Sequence, residues 1–260
     1  MLQALAILDG RVLPAAEAFI PVTDEGLLRG DGVFEVIRLY AGTPYALEEH
    51  LERMARSAAN LRLELSPADV RADIELLLAE AGPVDAALRF LVTRGGRRIG
   101  LIEPLPDLPA TLALATVVFA PTRVMDQVKS LSYASNMLTR RLAKEQGADD
   151  ALLLTPHGRV LEGPTASFFA VLGGALVTPP LSDHVLDSIT RRKVMAVSDA
   201  AERVLTRDEL PALEEAFIAS TLREVHPVHA IDGAALPAAP GPRTARVADA
   251  IRALVEDELA

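Results

Sequence analysis

Apolar and polar positions along this chain form two kinds of pattern in alternation. Short runs suit strands and three- and four-residue steps suit helices, which together predict an α+β protein. Residues 4–13 are apolar around a central Asp9-Gly10 pair, a two-residue hairpin signal. A strand is expected over 33–40, with a turn at Ala41-Gly42 and a continuation at 44–47. The following helix, 48–60, carries Leu47, Leu51, Met54, Ala55, Ala58 and Leu61 on one stripe, and Arg53 falls off it, where pattern alone places a solvated side chain. Ser66-Pro67 opens a second helix that runs to 81 and stops at Gly82-Pro83. Strands at 87–93 and 111–120 come next, separated by a Gly/Arg loop over 94–100 and by Pro104, Pro106 and Pro109.

Residues 123–128 read as a short β-type stretch, followed by a helix over 136–146 that ends at Gly147. Strands are expected at 151–154, 159–161, 167–171, 175–177, 216–219 and 228–231, with helices over 188–203 and 243–258. Thr155-Pro156-His157-Gly158 and Gly173-Gly174 mark turns. The expected organisation is an N-terminal α/β domain (1–120), a connection leading into an active-site strand (121–130) and a C-terminal domain (131–260).

Composition narrows the function classes. A 260-residue chain that is 50% apolar can bury one large core or two smaller ones. No apolar run reaches membrane-spanning length, and the N-terminus reads as a first strand rather than a signal, so a cytoplasmic location is expected. The absence of cysteine excludes disulfides, thiolate metal sites and thiol nucleophiles. A net charge of −10 argues against nucleic acid and anionic membrane as partners. His226 and His229 flank Pro227 without a further ligand, so no metal is expected.

Only three of the 26 basic side chains are lysines: Lys129, Lys144 and Lys193. The last two sit beside arginines in helical runs. Lys129 instead precedes Ser130-Leu131-Ser132-Tyr133, and a lysine entering a hydroxyl-rich, partly buried segment is a candidate imine-forming amine. Spacing alone favours a surface lysine at a strand end. Other segments change that balance: Gly30-Asp31-Gly32-Val33-Phe34-Glu35 near the start, and Leu161-Glu162-Gly163-Pro164-Thr165-Ala166-Ser167 about thirty residues after Lys129. This ordered set resembles the class IV (fold-type IV) pyridoxal-phosphate aminotransferases. That family includes D-amino-acid and branched-chain aminotransferases, R-selective amine transaminases and aminodeoxychorismate lyase.

The resemblance covers residues 4–235 and implies a smaller N-terminal α/β domain, a larger barrel-like C-terminal one, and pyridoxal phosphate as cofactor. It casts Lys129 as the lysine that bonds the cofactor and then shuttles a proton, and Glu162 as the carboxylate facing the pyridine nitrogen. Arg53 would pair with the phosphate. Ser188, Ile189 and Thr190 would hold the phosphate at a helix N-terminus, with Thr165, Ser220 and Thr221 as further cofactor contacts. Leu222 stands where the family often has a small hydroxyl residue.

Substrate residues implied by the resemblance are Arg29, Phe34, Arg38 and Arg98. Val36 is similar to the D-amino-acid type and Arg38 to the branched-chain type, while Arg98-Ile99-Gly100 keeps the arginine of a carboxylate trap without its usual histidine or tyrosine. Arg94 and Arg97 share that loop, where a solvated tip is the alternative. The implied reaction moves an amino group from a small amino acid, a D-amino acid first, to a 2-oxo acid. The alternatives are a lyase releasing pyruvate and p-aminobenzoate, a branched-chain or R-amine transaminase, and a non-catalytic relative. A homodimer is the family's usual assembly.

Overall fold

The computed structural model describes residues 4–260. They form two compact units: one takes residues up to Asp107 with Val128–Tyr133, the other Leu108–Gln127 and Ala134–Glu258. The expected 121–130 connection therefore divides at residue 127, and the expected strand over 111–120 belongs with the second unit. Backbone pairing explains both assignments, as the strand registers below show.

The first unit is an antiparallel six-stranded sheet. Its strands are β1 (Leu5–Leu8), β2 (Arg11–Pro14), β3 (Gly32–Tyr40), β4 (Thr43–Pro44), β5 (Ala86–Thr93) and β6 (Arg98–Glu103), in the order β2-β1-β6-β5-β3-β4. Asp9 and Gly10 both have positive φ, 49° and 85°, the conformation a tight β1–β2 hairpin demands. Short helix α1 (Glu25–Arg29) leads into β3, capped by Asp24, whose carboxylate accepts from the Gly26 N–H and the Thr93 hydroxyl. Helices α2 (Leu47–Asn60) and α3 (Pro67–Ala81) cover one sheet face. Ser66 caps α3 through the Asp69 N–H and Gly82 ends it at φ 67°. Met54, Ala58, Val70, Ile74 and Leu77 pack there against Ile7, Val33, Ile37, Leu39, Leu88 and Phe90.

β6 corrects the expected 94–100 loop. Its Gly100 occupies a buried position because an added Cβ would lie 2.7 Å from Ile7 and 3.0 Å from Phe90. A glycine that reads as a loop breaker is here a strand residue making room for two core side chains. The 123–128 stretch is corrected too: Arg123–Met125 is a single 3-10 turn.

The second unit is a mixed sheet of β7 (Leu112–Val118), β8 (Asp150–Leu154), β9 (Ser167–Leu172), β10 (Ala175–Thr178), β11 (Ala201–Glu202), β12 (Glu215–Ser220), β13 (Glu224–Ile231) and β14 (Ala234–Ala235). The order is β11-β10-β9-β12-β13-β7-β8, with β14 on β13. β7 lies parallel between β13 and β8, which is why this strand belongs here. Val160 bridges to Leu154 at one end of the sheet and Arg159 bridges to Thr206 just past β11 at the other. The expected strand over 159–161 is thus a connector that curls the sheet toward closure. Helices α4 (Ala134–Glu145), α5 (Ile189–Val197) and α6 (Pro242–Leu259) complete the unit. The helix expected over 188–203 stops at Val197, because Ala201 pairs with Val177 of β10. Among the described residues no helix is long and apolar enough to cross a membrane.

Candidate active site

The first unit carries the amine. Lys129–Leu131 runs antiparallel beside the start of β3: the Phe34 N–H donates to the Lys129 carbonyl (3.1 Å), and the Leu131 N–H donates to the Gly32 carbonyl (2.9 Å). The Lys129 N–H donates to the Ser57 hydroxyl of α2 at 3.1 Å, so its backbone is tied to two elements. Lys129 is half-buried, with Nζ 4.4 Å from the centre of the Phe34 ring and 5.8 Å from that of Tyr133. Those rings meet edge to face at 5.2 Å. A cation above two aromatic faces is well placed electrostatically.

Strand alternation puts Phe34, Val36 and Arg38 on one face of β3 and Glu35 on the other, among the core residues. Glu35 is 1% exposed, and its carboxylate is met by Arg53 and His50 of α2. Arg53 Nε and Nη2 donate at 2.7 and 2.5 Å, and His50 Nδ1 donates at 2.7 Å. Burial alone would raise the Glu35 pKa; the charge and hydrogen bonds of Arg53, with those of His50, bring it down to about 2. Burial pushes the His50 imidazole below its ordinary value, Glu35 opposes this, and the charges of Arg53 and Lys129 add to it. Arg53 is buried, correcting the solvated side chain that the α2 stripe predicts: Glu35 supplies its counter-charge inside the core.

Several other cations of this unit have carboxylate partners. Arg98 Nε donates to Asp73 at 2.8 Å, Arg97 to Asp9 at 2.6 Å and Arg94 Nε to Asp31 at 3.0 Å. Arg29, largely exposed, pairs with Glu25 one helical turn earlier. Arg38 lies over the Tyr40 ring with Asp85 at 3.7 Å, and its Nη1 is buried without a hydrogen-bond partner among the described residues. Arg89, directly across from Val36, has its guanidinium 5.9 Å from the Phe34 ring centre and pairs with Glu103. Sequence reasoning missed Arg89; its cross-strand register with Val36 was the available signal.

The second unit carries the carboxylate and a helix N-terminus. Glu162 follows the 159–161 connector, and its Oε1 accepts from the Leu186 N–H at 3.0 Å. Ser188 caps α5 through the Arg191 N–H, leaving Ile189 and Thr190 in the first turn, where amides have no intrahelical acceptor. Both are buried. Ser220 ends β12 and Thr221 begins the turn to β13, both half-buried. Thr165 is exposed. Arg223, on the same turn, donates to the buried Asp150 at 2.9 Å, another pairing that sequence did not show.

The first unit thus offers an amine and a guanidinium, and the second a carboxylate and helix-terminal amides, group types that suit a phosphorylated pyridine aldehyde. The comparisons agree with that chemistry. The family model described as amino-transferase class IV matches residues 32–231. The chain is 33% identical over 251 residues to a putative branched-chain-amino-acid aminotransferase of Methanocaldococcus jannaschii, covering 87% of each chain. It is 30% identical over 278 residues to a D-alanine aminotransferase of Bacillus licheniformis, covering 98% of each. Among solved structures, a branched-chain aminotransferase of Thermoproteus uzoniensis with norvaline superposes at a TM-score of 0.89 and 29% identity, over 98% of this chain and 95% of that one. The fold IV transaminase of Curtobacterium pusillum gives 0.87 at 26% identity, over 98% and 99%. The chain belongs to the class IV aminotransferases, enzymes whose cofactor is pyridoxal phosphate.

Proposed function

We propose that this enzyme transfers the amino group of a small D-amino acid to a 2-oxo acid, with Lys129 as its catalytic amine. The observation that carries the reading is Lys129 Nζ over the Phe34 ring, on the β3 face that also bears Val36 and Arg38. Bound pyridoxal phosphate supplies a carbonyl that condenses with amines and a ring that accepts electrons released at the substrate's Cα. Glu162 would face the ring nitrogen and keep its proton in place; Arg53, the Ile189 and Thr190 amides, Ser220 and Thr221 would take the phosphate. The Lys129 amine would bond the cofactor's carbonyl carbon and, when free, would hold and move the proton at the substrate's Cα.

Arg38 and Arg89, on the Phe34 face, suit a substrate carboxylate, and Phe34 and Val36 bound its side chain. Arg38 sits 3.7 Å from Asp85, a looser pairing than that of Arg98 with Asp73 at 2.8 Å or of Arg29 with Glu25, which favours Arg38 over those two for that task. The D-amino-acid assignment is supported by the end-to-end match to a D-alanine aminotransferase. A branched-chain L-amino acid is the second reading, supported by the archaeal relative and by Arg38. Donor half-reactions followed by absorbance discriminate them. Conversion of the near-visible cofactor band by D-alanine and not by L-leucine is the expected result, and the reverse selects the second reading. Pyruvate released from aminodeoxychorismate without an acceptor would replace both with the lyase.

A further inference from the structure

Gln127 stands two residues before Lys129 in the chain, yet its side chain serves a different loop. Its carboxamide Nε2 donates to the Val185 carbonyl at 2.9 Å and its Oε1 accepts from the Asp187 N–H at 2.8 Å. Between these contacts, the Leu186 N–H donates to Glu162 Oε1 at 3.0 Å. Three consecutive residues are thus fastened by two side chains remote in sequence, immediately before Ser188 caps α5. One partner of Gln127 can only accept and the other can only donate, so a carboxamide suits both and a carboxylate or hydrocarbon does not. The residue adopts this position with a positive φ of 58°, uncommon for a non-glycine residue with this side chain. Backbone strain that persists at such a position must be offset by what surrounds it, and these two hydrogen bonds do so.

We infer that Gln127 is a positioning residue for the cofactor site: it fixes the Val185–Asp187 span, and thereby orients Glu162 and the first amides of α5. The inference rests on the reading that Glu162 faces the pyridine nitrogen and α5 takes the phosphate. Loss of the clamp lets the span move, so Leu186 no longer fixes one Glu162 oxygen and the phosphate amides lose their register.

The test compares Gln127→Gly and Glu162→Gln with the parent enzyme. Glycine accepts the positive φ, so Q127G removes the clamp without straining the backbone. Apoprotein is titrated with pyridoxal phosphate, its melting temperature is measured, and amide exchange is followed at Leu186 and Asp187. The expected Q127G result is faster exchange there, an apoprotein melting temperature close to the parent's because relief of the positive φ offsets the lost hydrogen bonds, and a cofactor dissociation constant raised roughly ten-fold, the cost of re-ordering the released span on binding. A parental dissociation constant overturns the inference, as does an apoprotein melting temperature that falls in step with affinity, which would make Gln127 merely structural. E162Q separates the two levels. If E162Q alters cofactor affinity and the pH dependence of the near-visible band while Q127G does not, the inference fails and the site reading stands. If E162Q matches the parent in both, the site reading fails and takes the inference with it.

Discussion

Replacing Glu35 tests whether a charge buried in the first unit organises Arg53. The carboxylate is 1% exposed and accepts two hydrogen bonds from Arg53 and one from His50. Glu35→Gln keeps the shape, removes the charge and turns an amide donor toward donors on Arg53 or His50. Its pKa falls from 4.5 to about 2 on folding, so at neutral pH the ionised form contributes on the order of 3 kcal/mol. The cost of leaving a buried partner charge unpaired, roughly 3–5 kcal/mol, is of the same size. For a chain of this length that corresponds to a melting temperature lower by roughly 6–12 °C. The sign with pH follows from the depressed value. The contribution is complete above pH 4.5 and is lost as pH falls toward about 2, so acid should erase the difference between parent and variant. Apoprotein melting by circular dichroism between neutral and acidic pH reads both effects. Glu35→Leu with Arg53→Met should be less destabilised than either single change, since no charge is then stranded. An E35Q apoprotein that melts with the parent at neutral pH would refute the reasoning.

Lys129→Ala should reduce turnover to background while far-ultraviolet circular dichroism stays parental; retained turnover would remove the assigned mechanism. Glu162→Ala should lower kcat by roughly 10²-fold, about 2.7 kcal/mol of lost barrier reduction, and unchanged steady-state kinetics would contradict its place at the ring nitrogen. Arg98→Ala should lower the melting temperature, because Asp73 is buried and loses its 2.8 Å partner, with KM for the 2-oxo acid little changed. A raised KM at parental stability would instead make Arg98 a substrate contact.

Elements with a strong period were legible in the sequence. The stripe of Leu51, Met54 and Ala58 gave α2 within a residue, and Ser66-Pro67 with Gly82 bounded α3. Elements defined by distant partners were not. β6 was hidden because Gly100 answers to Ile7 and Phe90, and the segment expected as a strand over 159–161 forms only isolated bridges, to Leu154 and Thr206, which lie on segments far apart in sequence. Lys129, Glu162 and Ser188-Ile189-Thr190 were singled out because the segments around them resemble the family's, and of these the start of a helix at Ile189 is what the fold shows directly. Their supports could not be singled out in that way. The pairing of Arg53 with Glu35, of Gln127 with Val185 and Asp187, and of Arg223 with Asp150 each joins residues that no local pattern relates. Arg53 shows the consequence: a helix period has no means of expressing a counter-charge on a neighbouring strand.

Borohydride reduction of the purified holoenzyme, followed by peptide mass mapping, tests the central claim most directly. Reduction makes a cofactor–lysine bond permanent, so the phosphopyridoxyl group should appear on the peptide containing Lys129 and on neither Lys144 nor Lys193. A label on either of those lysines, or an enzyme that turns over with pyridoxal phosphate yet leaves Lys129 unmodified, would contradict the account.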